Sequence, residues 1–254
     1  MRYDSYIICT APRSGSTLLC RLLTDCGVAG RPDSYFYEPS VADWMEELGI
    51  PPGNLPETEA IRAVIAAAMV RGRGTTPLFG LRQQRSGFGF LCDKLRQVSP
   101  AGLSDRHCLE HVFGRILFIH LSREDKLAQA VSLIKAEQSG LWHVAADGSE
   151  LERSAPHQPP VYDARAIRTQ IDALTEQDAG WRDWFTQQGI APLRLTYDAL
   201  SAAPVDTLRS VLTALGLDPA HADPVRPGVR KLADRVSEDW IARFRAEERF
   251  RDQS

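Results

Sequence analysis

A chain of 254 residues with 43% apolar and 25% charged residues can bury a core without help from metals or disulfides. Its 30 Lys and Arg against 33 Asp and Glu leave a formal charge of −3, which argues against nucleic acid as a partner but leaves room for a local anion pocket. No apolar run approaches the roughly 18 residues of a membrane span, the first residues lack the pattern of a signal peptide, and the five cysteines include no C-x-x-C pair. One cytoplasmic domain over 1–254, with its thiols reduced, is expected.

In chain order, Tyr6 to Thr10 is a short apolar run that reads as a strand, and Ser16 to Cys26 follows as a helix with Leu18, Leu19, Leu22 and Leu23 on one face and Gly27 at its end. Pro51-Pro52-Gly53 is a loop. Pro56 opens a helix carrying Ile61, Val64, Ile65 and Met69, which breaks at the Gly-rich stretch 71–77. Phe88 to Leu95 reads as the second strand. Arg115 to Leu121 is the clearest strand, apolar without interruption as in a parallel sheet covered on both faces. Glu124 to Ser139 is a helix. Residues 145–160 are polar and proline-rich, a long loop suited to closing over a site. A long helix follows with Ile167, Ile171, Leu174, Trp181 and Phe185 inward, then a short strand Leu193–Thr196, a helix from Pro204, and a charged closing helix from Ser237 to Arg249. Alternating strands and helices predict an α/β fold with a central parallel sheet flanked by helices, whose ligands bind beyond the strand carboxyl ends.

The sharpest feature sits at such an end. Ala11-Pro12-Arg13-Ser14-Gly15-Ser16-Thr17 joins the first strand to the first helix. Gly15 permits a tight turn, Ser14, Ser16 and Thr17 supply hydroxyls, Arg13 adds a cation, and the helix start adds free N–H groups: together, an anion nest. Neither the glycine spacing nor the Gly-Lys pair of a nucleotide-triphosphate loop is present. A thiol phosphatase would need an arginine six residues after Cys9, where Gly15 stands.

Residues 12–17 resemble the 5′-phosphosulfate loop of sulfotransferases that use 3′-phosphoadenosine 5′-phosphosulfate (PAPS). With Gly27-Val28-Ala29-Gly30-Arg31-Pro32 they are similar to the bacterial trehalose 2-sulfotransferase family. Ile119 to Asp125, with Gln129 to Ser132, looks like the strand–loop–helix that holds the 3′-phosphate. Further echoes are Lys94-Leu95, Trp181 to Phe185, Tyr197-Asp198, Asp234, Trp240 and Arg243-Phe244-Arg245, in order along nearly the whole chain. The resemblance implies a P-loop-like, three-layer sulfotransferase-type fold. It implies that Arg13, Ser14, Gly15, Ser16 and Thr17 hold the 5′ side of PAPS, that Arg123 and Ser132 hold the 3′-phosphate, and that no metal takes part. Ser132 lies nine residues after Arg123, so the pair meets only if Arg123 reaches over from its loop.

Sulfuryl transfer, like phosphoryl transfer, asks for positioning and for stabilised charge on the leaving group, which makes Arg13 catalytic. The acceptor hydroxyl also needs a base. The related family has a glutamate after its Gly-x-Pro motif, where this chain has Ser34; Asp33 and Glu38 are the nearest carboxylates, with Glu38 slightly favoured because Tyr35, Phe36 and Tyr37 surround it. Pro32, Ser34, Tyr35, Phe36, Trp44 and His143 are the expected acceptor-pocket residues, their rings offering faces for a glycan, a glycolipid or another small hydroxylated molecule. A homodimer is compatible with all of this. The competing readings are a P-loop small-molecule kinase, which lacks its lysine and its acidic metal ligand, and a non-catalytic nucleotide-binding module, for which Ser34 is the best support.

Overall fold

The computed structural model describes residues 2–37, 39–51, 53–144, 150–153, 156, 158–226 and 235–251. The elements are β1 (Ser5–Thr10), α1 (Ser16–Asp25), α2 (Val41–Glu47), α3 (Glu57–Arg73), β2 (Phe79–Gln84), α4 (Arg85–Val98), α5 (Asp105–Phe113), β3 (Ile116–Ser122), α6 (Lys126–Ser139), β4 (Leu141–Val144), β5 (Glu150–Arg153), α7 (Ala164–Gln187), β6 (Leu193–Thr196), α8 (Tyr197–Ala202), α9 (Pro204–Leu215), a 3-10 turn (Pro219–Ala222) and α10 (Arg235–Arg251).

β2, β1, β3 and β6 form a parallel sheet in that order. All of β1 is buried, because both of its faces are covered. Ile7 and Cys9 point with Phe79, Leu81 and Phe118 into a core shared with α2, α3, α4, α5 and α7; Tyr6 and Ile8 point with Leu117, Ile119 and Leu121 into one shared with α1, α8 and α9. The molecule is thus a three-layer α/β fold with a central parallel sheet flanked by helices, as the alternating pattern predicts. β4 and β5 make a separate antiparallel ribbon beside α6.

One predicted element is wrong. Phe88–Leu95 is not a strand; it lies within α4, and the second strand is Phe79–Gln84. The buried positions of α4, Phe88, Leu91, Cys92, Leu95 and Val98, recur at helical spacing, which the run of apolar residues conceals. The true strand is obscured by a glycine and an arginine. Gly80 is there because Tyr6 crosses it: a Cβ on Gly80 would lie 2.5 Å from the tyrosine Oη. Lys94 therefore does not end a strand but pairs with Glu57 from α3. The helices at 41–47 and 105–113 also went unread. Each is short and opened by a serine cap, Ser40 accepting from the Asp43 N–H and Ser104 from the His107 N–H.

Strand order fixes where a ligand can sit. From β1 the chain crosses to β2 on one side; from β3 it proceeds to β6 on the other. The carboxyl ends of β1 and β3 are therefore the topological switch point, and the crevice between them is the natural binding place in an open sheet. The loops that leave those ends are 11–15 and 123–125, the segments singled out as anion-binding corners.

Candidate active site

The first corner is built by backbone. α1 begins at Ser16 with Gly15 as its cap and no side-chain cap bond, so its first N–H groups have no partner within the helix and carry the positive end of its dipole. Gly15 has φ +89°, and a Cβ there would come within 2.8 Å of the Tyr197 ring. Ser14 is fully buried: its hydroxyl bonds Thr10 Oγ1, which in turn donates to the Leu121 carbonyl at 2.9 Å. The Ser14 side chain thus ties the loop to β3 through Thr10. Trp181 secures the same corner from α7, its Nε1–H donating to the Thr10 carbonyl at 2.8 Å.

Arg13 is the one non-glycine with positive φ, +59°, among the described residues. Its side chain reaches across to α6, where Nε donates to Ser132 Oγ at 3.0 Å and Nη1 to the Trp142 carbonyl at 2.7 Å. The second corner answers it. Arg123 is buried, stacks over the Tyr197 ring at 4.3 Å, and donates from Nη1 to the Arg13 carbonyl at 3.2 Å. Burial pulls its guanidinium pKa down, opposed by Tyr197, Asp125 and Asp198; an arginine so placed remains charged. Arg13, Arg123 and Ser132 therefore form one continuous basic and hydroxyl wall across the switch point. Arg123 meets Ser132 only through Arg13 between them.

A third cation was missed by the sequence reading. Arg82, near the carboxyl end of β2, donates to Thr17 Oγ1 at 2.9 Å, to Ser34 Oγ at 2.7 Å and to Asp33 Oδ1 at 3.0 Å. It joins the phosphate-type loop to the segment 32–34, which runs beside β2 through a parallel bridge between Asp33 and Leu81. The misplaced second strand hid it, since Arg82 belongs to the true strand, Phe79–Gln84, which the apolar pattern does not mark. Asp33 is two-thirds exposed. Its Oδ1 also accepts the Ser34 N–H at 2.8 Å, so the carboxylate is oriented while Oδ2 has no hydrogen bond among the described residues.

The acceptor-pocket expectation is corrected for three aromatic residues. Trp44 and Phe36 are 1% exposed and Tyr35 7%. Phe36 meets the Trp44 ring edge-on at 5.3 Å, and Tyr35 stacks on Phe79, so these rings are core, shielded from any sugar by the helices that cover them. Pro32 is buried against Gly80. Tyr37, by contrast, is 53% exposed. Glu38 and Asp234 lie outside the described residues, as does the side chain of His143, whose backbone belongs to β4. Only part of the predicted 145–160 loop is described, and Glu150–Arg153 within it is β5.

His120, on β3, is a buried packing residue bonded to Asp178 Oδ1 at 3.1 Å. Burial pushes the Asp178 carboxyl up, but the His120 bond and the Lys126 and Arg182 charges outweigh it and hold its pKa below the ordinary aspartate value. Among the described residues no group of three or more His, Cys, Asp or Glu side chains could hold a metal ion, and no helix is long and apolar enough to cross a membrane.

The Stf0 sulphotransferase family model matches residues 5–247. A trehalose 2-sulfotransferase of Mycobacterium tuberculosis is 30% identical over 261 aligned positions, covering 95% of this chain and 94% of that protein. The trehalose 2-sulfotransferase of Mycolicibacterium smegmatis is 28% identical over the same shares. Among solved structures, a sulfotransferase domain from the Synechococcus PCC 7002 olefin synthase aligns over 84% of this chain and 73% of its own, at 19% identity and a TM-score of 0.41.

Proposed function

This chain belongs to the Stf0 sulphotransferase family and is an enzyme of that class; from that premise we propose that it moves a sulfuryl group from PAPS to a hydroxyl of a carbohydrate-type acceptor. The observation that carries the donor reading is the joined wall at the switch point, with Arg123 bonded to the Arg13 carbonyl and Arg13 to Ser132. A donor with a phosphosulfate at one end and a phosphate at the other needs anion sites at both ends of one crevice. Arg13 and the N–H groups of 14–17 suit the 5′ side; Arg123 and Ser132 suit the 3′-phosphate.

In the reaction the acceptor oxygen attacks sulfur in line, the S–O bond to the 5′-phosphate breaks, and the electron pair of that bond stays on the leaving phosphate oxygen. Charge grows there as the bond breaks, so a cation from Arg13 stabilises the transition state more than the ground state. The acceptor proton goes to a base. Asp33 fits that role: it sits beside the loop through Arg82, one oxygen is fixed, and the other is open. Ser34, where the resembled family has glutamate, keeps its oxygen as an acceptor for Arg82 and is left to bind rather than to take a proton.

Both relatives are named for trehalose, so trehalose heads the list of acceptors to try, followed by other sugars. The test is thermal stabilisation by adenosine 3′,5′-bisphosphate against ATP with Mg²⁺, then transfer of labelled sulfate from PAPS to the panel. Stabilisation by the bisphosphate with transfer to a sugar is expected. Stabilisation by ATP alone overturns the donor; bisphosphate binding with no transfer to any acceptor leaves a nucleotide-binding module. Five unpaired, buried thiols fit a reducing, cytoplasmic setting.

A further inference from the structure

Behind the basic wall, Lys126 occupies a position that packing does not explain. It is the first residue of α6, and its ammonium is 3.4 Å from Asp178 Oδ2 on α7, with both side chains largely buried. A buried ion pair of this kind is often no more stabilising than apolar residues of the same volume, so its contribution has to be sought in what it holds. Lys126 Nζ donates to the Arg123 carbonyl at 2.6 Å and to Gln129 Oε1 at 3.3 Å. Gln129, fully buried, then donates from Nε2 to the Pro12 carbonyl at 2.6 Å.

The chemistry of these groups sets a direction. A lysine ammonium only donates, so the amide oxygen of Gln129 must face it; the amide nitrogen must then face Pro12. Without that cation the amide could turn over and present oxygen to oxygen. Asp178 anchors the cation, and is itself fixed by His120 at 3.1 Å and Arg182 at 2.8 Å. One ammonium thus grips the backbone on both sides of the switch point: directly at Arg123, and through Gln129 at the residue preceding Arg13. The carbonyls of both corners, the negative ends of their peptide dipoles, are turned to donors inside the protein.

We propose that Asp178, Lys126 and Gln129 are positioning residues that fix the span between the two anion-binding corners, so that a ligand phosphorylated at both ends is preferred over one phosphorylated at a single end. The inference rests on the donor reading above. No step of the reaction passes through these groups; they act on the donor through the backbone of Pro12 and Arg123.

The test is calorimetric binding of adenosine 3′,5′-bisphosphate and of adenosine 5′-monophosphate to the wild type and to D178N, K126M, Q129L and K126M/Q129L. The wild type should prefer the bisphosphate. Each single variant should lose about tenfold or more of that preference, the scale of a lost hydrogen bond to a charged group, and the double variant should be no worse than its worse parent, because both act along one chain of contacts. If D178N fails to fold, K126M and Q129L decide the matter. The proposal is overturned if K126M alone loses preference, which would mean that the ammonium touches the phosphate itself. Equal weakening for both nucleotides overturns it too, as a purely structural effect would give, and so does an unchanged preference in Q129L. A wild type that binds neither nucleotide removes the donor reading and this inference with it. A wild type that binds the bisphosphate and variants that keep its preference remove the inference alone.

Discussion

Arg13 holds its cation on a backbone conformation that L-residues avoid, at a cost of about 1–2 kcal/mol. The loop keeps it there because the side chain is fastened to Ser132 and to the Trp142 carbonyl. Arg13→Ala should lower kcat/KM by about 10²- to 10³-fold, the effect of removing one preorganised donor at developing charge, with little change in acceptor binding; sulfate-transfer kinetics check this, and rates equal to wild type would sink the role. Gly15→Ala meets two penalties at once, a positive φ and a Cβ 2.8 Å from Tyr197, and should lower stability by about 2 kcal/mol or more in a denaturant titration. At this scale the sequence was informative where chemistry is local. The run 12–17 marks an anion loop by residue type alone, whereas Arg123 and Ser132 were singled out only through the family resemblance. What stayed hidden were partnerships set by distant elements: the Ser14 hydroxyl serving Thr10, Arg13 serving Ser132, and Arg82 joining Thr17 to Asp33.

Elements explain the misses. A reading that looks for continuous apolar runs finds β3, whose burial is unbroken to its penultimate residue. It loses β2, where apolar residues stop at Leu81, and gains a false strand from Phe88 on. The cost fell on the site, since β2 delivers Arg82. Arg82→Met should unfasten the 32–34 segment from the loop. The expected result is a lowered kcat with near-normal affinity for adenosine 3′,5′-bisphosphate, read by comparing turnover with calorimetric binding; an unchanged kcat would separate Asp33 from catalysis. α7 contributes in another way. Trp181→Phe keeps the ring stacked on Phe185 but strands the buried Thr10 carbonyl, at a cost of about 1–3 kcal/mol, measurable as a lower urea midpoint. The aromatic residues of 35–44 were legible as apolar but not as core, because ring composition alone does not say which face is covered.

The whole molecule adds a charge and a redox expectation. Asp178 titrates below the ordinary 3.8 in the folded state, so its ion pairs add stability that is complete above that value and is lost as pH falls below it. D178N should therefore lower Tm at neutral pH by about 10 °C, as breaking a buried pair does, and the gap from wild type should narrow as pH is taken below about 4; a gap independent of pH would mean that packing, not charge, is responsible. Every cysteine is free and buried, and burial pushes the Cys20 thiol up to about 12. No thiol of the folded protein should react with a disulfide reagent at about pH 8, and all should react once it is unfolded.

The position of β1 in the sheet has one more consequence. The donor wall hangs on the side where β1 meets β3, whereas Asp33 and Ser34 hang on β2, at the opposite flank of β1. On the proposed function, nucleotide grip and acceptor choice fall to separable parts, joined by the reach of Arg82 to Thr17. If so, an acceptor can be exchanged without touching the donor grip, and grafting the 31–40 segment of a relative named for trehalose onto this scaffold should move acceptor preference toward that sugar while leaving adenosine 3′,5′-bisphosphate affinity unchanged.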